Sequence, residues 1–206
     1  MNEQNLIKTC GLDEAGRGAW AGPLVAAAVV LNSSIYQIAQ LAKTTIKDGK
    51  LLDPKKRRRI YQAIKKTGAE IYVEVISTRS INNHGIGWAN REIFRRLINK
   101  ITADKYIIDG SLKIKVRGKS DCIRSVINAD ATIPEVVLAG IVAKVVRDDL
   151  MQTLHYKFPK YNWHRNKGYG TREHQAALIK YNMTYFHRSI FVTTGLRRKN
   201  INSLFV

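Results

Sequence analysis

Gly11-Leu12-Asp13-Glu14-Ala15-Gly16-Arg17-Gly18-Ala19-Trp20-Ala21-Gly22-Pro23 sets two adjacent carboxylates between an apolar run and a turn too rich in glycine to continue a strand or a helix. Neighbouring strand residues point to opposite faces. Asp13 and Glu14 can therefore share one cation only where the strand bends, or where one of them supplies its backbone carbonyl. Gly16 and Gly18 permit such a bend. An isolated Asp-Glu pair is more often a solvated turn than a metal site. What sets this pair apart is Arg17 held between two glycines. Glycines let the backbone approach a ligand and can gather successive amide N–H groups into one concavity, a receptor for a phosphate or a hydroxyl. A phosphodiester with its bound metal satisfies the acids and the amides together.

The composition is that of a nucleic-acid protein. The 206 residues, 45% of them hydrophobic, suffice for one well-buried unit, which we place at residues 1–194, with a basic tail at 195–206. The formal charge of +19, from 35 Lys and Arg against 16 Asp and Glu, exceeds what solubility requires and points to a polyanion. Nucleic acid is the first candidate. A membrane surface is disfavoured because the basic residues are scattered through the chain and not confined to one amphipathic face. Cys10 and Cys122 form no Cys-x-x-Cys pair, and five histidines show no zinc-ligand spacing with them, so free thiols and no zinc are expected. The polar start, Met1 to Lys8, and the absence of any run near ~18 apolar residues predict a soluble, cytoplasmic protein.

Outward from the opening stretch, Leu6 to Leu12 reads as a short strand and Leu24 to Leu31 as a strand buried on both faces. Ile35 to Ala42 reads as a short helix. Asp53-Pro54 is a capped helix start, and the basic helix runs through Lys66 to Gly68. Ala69 to Ile76 alternates as a third strand. Ile93, Phe94, Leu97, Ile98 and Ile101 form a core-facing helical stripe. Lys105 to Ile108 is a strand ending in Asp109-Gly110, Leu112 to Lys119 a basic hairpin, and Cys122 to Ile127 a strand leading to Asp130. Thr132 to Tyr156 is the longest helical pattern, and Glu173 to Tyr181 the last. The order predicts an α/β fold, a mixed sheet flanked by helices with acids gathered where strands end.

Asp13, Glu14, Asp109 and Asp130 each follow an apolar stretch and precede a small or flexible residue. Four such carboxylates repel one another and cannot all stay ionised without cations. Mg2+ or Mn2+ resolves the conflict, and two ions about 4 Å apart suit phosphodiester hydrolysis.

The chain resembles ribonuclease HII. The resemblance rests on Asp13 to Gly18 followed by Ala21-Gly22-Pro23, on Asp109-Gly110, on Ile141 to Asp148, on Lys167-Gly168-Tyr169-Gly170-Thr171 and on His187-Arg188-Ser189, in the family's order over roughly residues 6–192. It implies a ribonuclease H-like fold with a C-terminal helical segment. It also implies metal-dependent cleavage of RNA within RNA·DNA hybrids and at single ribonucleotides in duplex DNA. By resemblance Asp13, Glu14, Asp109 and Asp130 hold two divalent ions, Gly16, Arg17 and Gly18 read the 2′-hydroxyl and neighbouring phosphate, and Tyr169 sits against the next sugar. The 2′-hydroxyl is the group that tells RNA from DNA at one position, and amides fixed by glycines suit its geometry.

Departures from the pattern are local. Asp48-Gly49-Lys50-Leu51 stands where the family has an Asp-Ser-Lys-Lys run, leaving Lys50 as the expected phosphate contact. Val137-Leu138-Ala139-Gly140 replaces small residues and a serine near Asp130, and Asp148 is assigned a structural role. Lys55 to Arg59 and Lys113 to Lys119 are solvated faces or tracks for a DNA backbone. His187 orders an active-site group or is a satisfied structural histidine. Ser203-Leu204-Phe205 faintly resembles peptides that dock on sliding clamps. The enzyme reading is of a monomer; its rival is a non-catalytic hybrid-binding protein of the same shape.

Overall fold

A computed structural model describes residues 7–46 and 52–197. Lys50 and the end of the tail, residues 198–206, lie outside them. The chain divides into two compact units. The first takes residues up to Ala15, Val25–Glu74 and Arg91–Val145; the second takes Gly16–Leu24, Val75–Asn90 and the chain from Val146 on.

The first unit is built on five strands, β1 (Thr9–Ala15), β2 (Leu24–Val30), β3 (Glu70–Ile76), β4 (Lys105–Asp109) and β5 (Ile123–Val126), in the order β3-β2-β1-β4-β5. β1 pairs antiparallel with β2 and parallel with β4, and β4 is parallel to β5. The sheet is mixed, as the sequence predicts. Every residue of β2 is buried, as a run with no polar face requires. Each of its valines and Leu24 contributes roughly 1.5–3 kcal/mol by leaving water.

Helices α1 (Ile35–Ala42) and α2 (Pro54–Lys66) follow the sequence prediction closely. Asp53 caps α2, its Oδ1 accepting from Lys56 N at 2.9 Å, with Pro54 at the first helical position. The second half of the fold adds α3 (Thr78–His84), α4 (Ile86–Lys100), the single turn α5 (Ala129–Thr132) and the long α6 (Pro134–Lys157). A 3-10 turn at Pro159–Tyr161 leads to α7 (Trp163–Asn166), α8 (Arg172–Tyr181) and α9 (Ser189–Arg197).

Three readings need correction. The first strand starts at Thr9, with Ile7 and Lys8 before it and Leu6 outside the described residues, and it carries Asp13 and Glu14 inside its ladder, opposite Ala27 and Ala26. The predicted last helix, α8, is followed by α9, which buries Val192 and Leu196 one turn apart. Finally, Leu112 to Lys119 is no hairpin. Ile114 and Val116 alternate with exposed Lys113, Lys115 and Arg117, but the polar backbone there is met by hydroxyls and not by a ladder. Ser120 Oγ bonds Val116 through both its N and O, and Ser125 Oγ donates to Leu112 O. Lys119 is no solvated charge either. Its amine reaches Ile98 O and Ile101 O, closing the C-terminal end of α4.

Two glycines decide how closely β1 and α6 approach. A Cβ at Gly11 would overlap the Glu135 and Val136 backbone, and one at Gly140 would overlap Asp13 Oδ2. Gly11 and Asp13 share a face of β1 by alternation, so that face lies directly on α6. Gly140 leaves room for the Asp13 carboxylate.

Candidate active site

The acids of the first unit are set by strand register. β1 and β4 run parallel with Leu12 beside Ile108, so Asp13 and Asp109 each follow one residue after the last pair; Asp109 ends β4, while β1 continues beside β2 to Ala15. Asp109 is half-buried, with Gly110 at φ +95° turning the chain immediately after it. Asp130 reaches the same place by a different route. It is not a strand-end acid but sits in α5, entered through the left-handed residue Asn128, and it is buried. Its N–H donates to Asp109 Oδ1 at 3.3 Å. Glu14 is half-buried beside Asp13.

Asp13 records how these charges combine. Its carboxyl is pushed up to about 8, first by burial and then by the negative charges of Glu14, Asp109 and Asp130; only the Glu14 amide, bonded to Asp13 Oδ1 at 2.7 Å, pulls the other way. The other three predicted acids therefore all act on Asp13. Among the described residues no group of three or more His, Cys, Asp or Glu side chains is arranged to hold a metal ion. The fit of a divalent ion rests on donor chemistry and charge: four carboxylates, hard oxygen donors, concentrate negative charge around a buried group that ionises poorly alone. This set suits Mg2+ or Mn2+.

In the second unit, the turn after β1 is closed by two buried arginines that the sequence reading named only within motifs. Arg147 and Arg188 have no exposed surface. Arg147 donates to Pro23 O, Lys167 O and Ala21 O at 3.2, 2.9 and 3.2 Å. Arg188 donates from Nε to Gly22 O at 3.0 Å and from Nη1 to Gly16 O and Arg17 O at 2.7 and 3.0 Å. Burial and then the charge of Arg147 lower the Arg188 guanidinium to about 9, which leaves it cationic at neutral pH. Gly16, at φ +92°, has no room for a side chain, because a Cβ would fall on Arg147 Nε. Gly18 differs: nothing lies within 4 Å of the Cβ it lacks, and both Arg17 and Gly18 are exposed. Asp148 bears on Arg147 through its charge, in keeping with a structural role.

Tyr169 is 38% exposed on the loop between α7 and α8, with the Arg147 guanidinium 5.4 Å from its ring centroid. Its flanking glycines are packing requirements: a Cβ at Gly168 would strike Ala21 O, and one at Gly170 the Trp20 ring. Its carbonyl accepts from Thr171 N at 2.8 Å and bonds His174 Nδ1 at 2.9 Å. That bond orders the protons of a buried chain. With Nδ1 of His174 donating, its Nε2 accepts from Trp163 Nε1 and from His187 Nε2, both at 3.1 Å, and His187 Nδ1 accepts from Thr184 N at 2.8 Å. Burial, with the charge of His174 second, pushes His187 down to about 3. Sequence reasoning missed Trp163 and His174 altogether. Of the predicted site residues, Glu14, Asp109 and Asp130 bear on Asp13 by charge, and the Gly16–Gly18 turn and Tyr169 lie in the second unit; Lys50 lies outside the described residues.

A mixed sheet in the order β3-β2-β1-β4-β5, with carboxylates late in β1 and at the end of β4 and helices about it, is a ribonuclease H-like fold. Two solved structures share it at a TM-score of 0.75. One is ribonuclease H2 from Pyrococcus horikoshii, 24% identical over 95% of this chain and 100% of that one. The other is ribonuclease HII from Archaeoglobus fulgidus, in complex with PCNA, 23% identical over 88% of this chain and 94% of that one. The chain belongs to the ribonuclease HII family, whose model matches residues 10–194. It is 36% identical over 183 residues to ribonuclease HII of Wolbachia pipientis from Culex pipiens, covering 88% of each chain. Membership makes the protein a ribonuclease H, an endoribonuclease of RNA·DNA hybrids. No helix among the described residues is long and apolar enough to cross a membrane.

The shared field around Asp13 has a signature in stability. Without divalent ions, the unfolded chain ionises Asp13 near 3.8 while the folded chain holds its proton to about 8. Between those values the folded state binds more protons, so stability falls as pH rises. Asp13→Asn removes that slope. In chelator, its advantage over wild type in thermal unfolding should grow by roughly 1–3 kcal/mol from pH 5 to pH 8. Parallel pH profiles for the two proteins would count against the field.

Proposed function

We propose that the protein cuts the phosphodiester on the 5′ side of a ribonucleotide, in RNA·DNA hybrids and at single ribonucleotides in duplex DNA, leaving 3′-hydroxyl and 5′-phosphate ends. The observation that carries this reading is the influence of Glu14, Asp109 and Asp130 on the buried Asp13 carboxyl. A protein that only bound nucleic acid would gain nothing from burying acids against its own phosphate-seeking charge of +19.

Asp13, Asp109 and Asp130 would hold or bridge two Mg2+ or Mn2+ ions, and Glu14 would complete their shell. Bound there, the ions would supply an activated water and stabilise the departing oxygen. Asp13 stays buried under Gly140, which fixes its carboxylate. Asp130 N–H fixes that of Asp109. Gly16, Arg17 and Gly18 select the bond by reading the 2′-hydroxyl and the adjacent phosphate, and Tyr169 offers its ring to the next sugar. Lys50 is the proposed phosphate contact from outside the described residues. No second copy is needed to complete the group of acids, and we take the protein to act as a cytoplasmic monomer.

A sliding clamp is a second proposed partner. The support is the Ser203-Leu204-Phe205 tip, outside the described residues, together with the clamp-bound state of the Archaeoglobus relative.

A labelled duplex carrying one ribonucleotide, incubated with Mg2+, Mn2+ or chelator, tests the reaction. Cleavage is expected with a metal, 5′ to the ribonucleotide, and none in an all-DNA control. Equal cutting of the control would remove the selectivity, and no cutting with either metal would favour the hybrid-binding alternative. Gly18→Ala sharpens the test. Since the added methyl meets nothing in the protein, stability should stay within about 0.5 kcal/mol of wild type. Turnover of the ribonucleotide duplex should fall about tenfold or more, from loss of close backbone approach. Unchanged turnover would separate the turn from the substrate.

A further inference from the structure

Arg147 and Arg188 are costly residues to bury. A guanidinium taken out of water loses several kcal/mol of hydration, which carbonyl acceptors only partly return. All their hydrogen bonds go to main-chain carbonyls, and five of the six acceptors lie between Gly16 and Pro23. Arg188 Nη2 is buried with no hydrogen-bond partner among the described residues, its guanidinium facing the Phe191 ring at 5.5 Å. A turn of small residues does not need two cations to close it. Its own amides already do so in part: Ala19 N reaches Gly16 O at 3.3 Å, and Trp20 N and Ala21 N reach Gly168 O at 2.8 and 3.0 Å.

The arginines do something the amides do not. In a trans peptide the C=O of one residue and the N–H of the next point in opposite directions, and no peptide among the described residues is cis. With Gly16 O and Arg17 O both drawn onto Arg188 Nη1, the N–H groups of Arg17 and Gly18 are turned the other way, on the exposed side of the turn. Without that pull, either peptide could flip at its glycine and present a carbonyl oxygen. An oxygen there would repel a phosphate and would accept only a hydroxyl proton. Arg147 supports the arrangement from the far end of the turn, and its Nε occupies the place of a Gly16 side chain.

We infer that Arg188, backed by Arg147, is a positioning residue for ribose recognition: it holds the carbonyls of Gly16 and Arg17 inward so that two successive amides face the sugar and phosphate of the ribonucleotide. The inference rests on the proposed reading of the Gly16–Gly18 turn. It explains why two charges are buried under a turn that carries no catalytic acid. It also gives the selectivity a physical source. A deoxyribonucleotide leaves the fixed amide at the sugar with no 2′-oxygen to meet, whereas a mobile turn would simply rotate away from the loss.

The test measures binding without cleavage. Affinities for a duplex with one ribonucleotide and for its all-DNA twin are compared in chelator, for wild type, Arg188→Lys and Arg147→Lys, alongside thermal unfolding. Lysine keeps the charge but has one nitrogen in place of the planar fork that meets Gly22 O from Nε while Nη1 meets Gly16 O and Arg17 O. Wild type should prefer the ribonucleotide duplex about tenfold. Arg188→Lys should bring that ratio close to one while leaving all-DNA affinity within about twofold, a split that a general loss of structure does not produce. A folded Arg188→Lys protein with the wild-type ratio overturns the inference and leaves the reading of the turn intact. Equal binding of both duplexes by wild type removes that reading, and the inference with it. If Arg188→Lys does not fold, Arg147→Lys is read by the same two criteria. Failure of both variants to fold would make the arginines core parts of the second unit and overturn the inference too.

Discussion

Mutual repulsion among carboxylates late in β1 and at the end of β4 is the constraint to which much of the first unit answers. Asp13 is buried on the central strand, under the field of Glu14, Asp109 and Asp130. Such a group lowers stability by itself and is retained where a cation supplies the balancing charge. The sheet makes the arrangement rigid. Register sets Asp13 beside Asp109, Gly140 leaves space for the Asp13 carboxylate against α6, and the single turn of α5 brings in Asp130 with an amide already bonded to Asp109. Few of these contacts can be relaxed without moving an acid.

The second unit addresses a different problem, the orientation of neutral backbone. Two buried guanidiniums take up carbonyls, the glycines at 16, 168 and 170 permit close approach, and a proton-ordered chain of Trp163, His174 and His187 fixes the Tyr169 carbonyl. Charge does the work in the first unit and geometry in the second. Binding energy directed at a hydroxyl is selective only if the groups that meet it cannot rearrange when it is missing.

Much of this was legible in the sequence wherever the signal was local. The unbroken apolar run of β2, the Asp53-Pro54 start of α2 and the acid closing β4 all declare themselves within a few residues. Readings failed where a distant partner decided the outcome. Ile114 and Val116 alternate like a strand, but Ser120 and Ser125 satisfy that backbone, so no ladder forms. Asp130 was expected after a strand and arrives on a helical turn. Arg147 and Arg188 look like two more of 35 cations. The one clue was spacing: Ala143, Arg147 and Met151 recur four residues apart, so the stripe that buries Ala143 and Met151 must bury Arg147 as well.

The central claim is that the four acids form one electrostatic unit completed by a divalent cation. A carboxyl-carbon NMR titration of Asp13, with chelator and then with Mg2+, tests it most directly. The account predicts titration near 8 in chelator and a fall of several pH units once Mg2+ is added. An Asp13 that titrates in the ordinary carboxylate range in chelator, or does not respond to the ion, would contradict it.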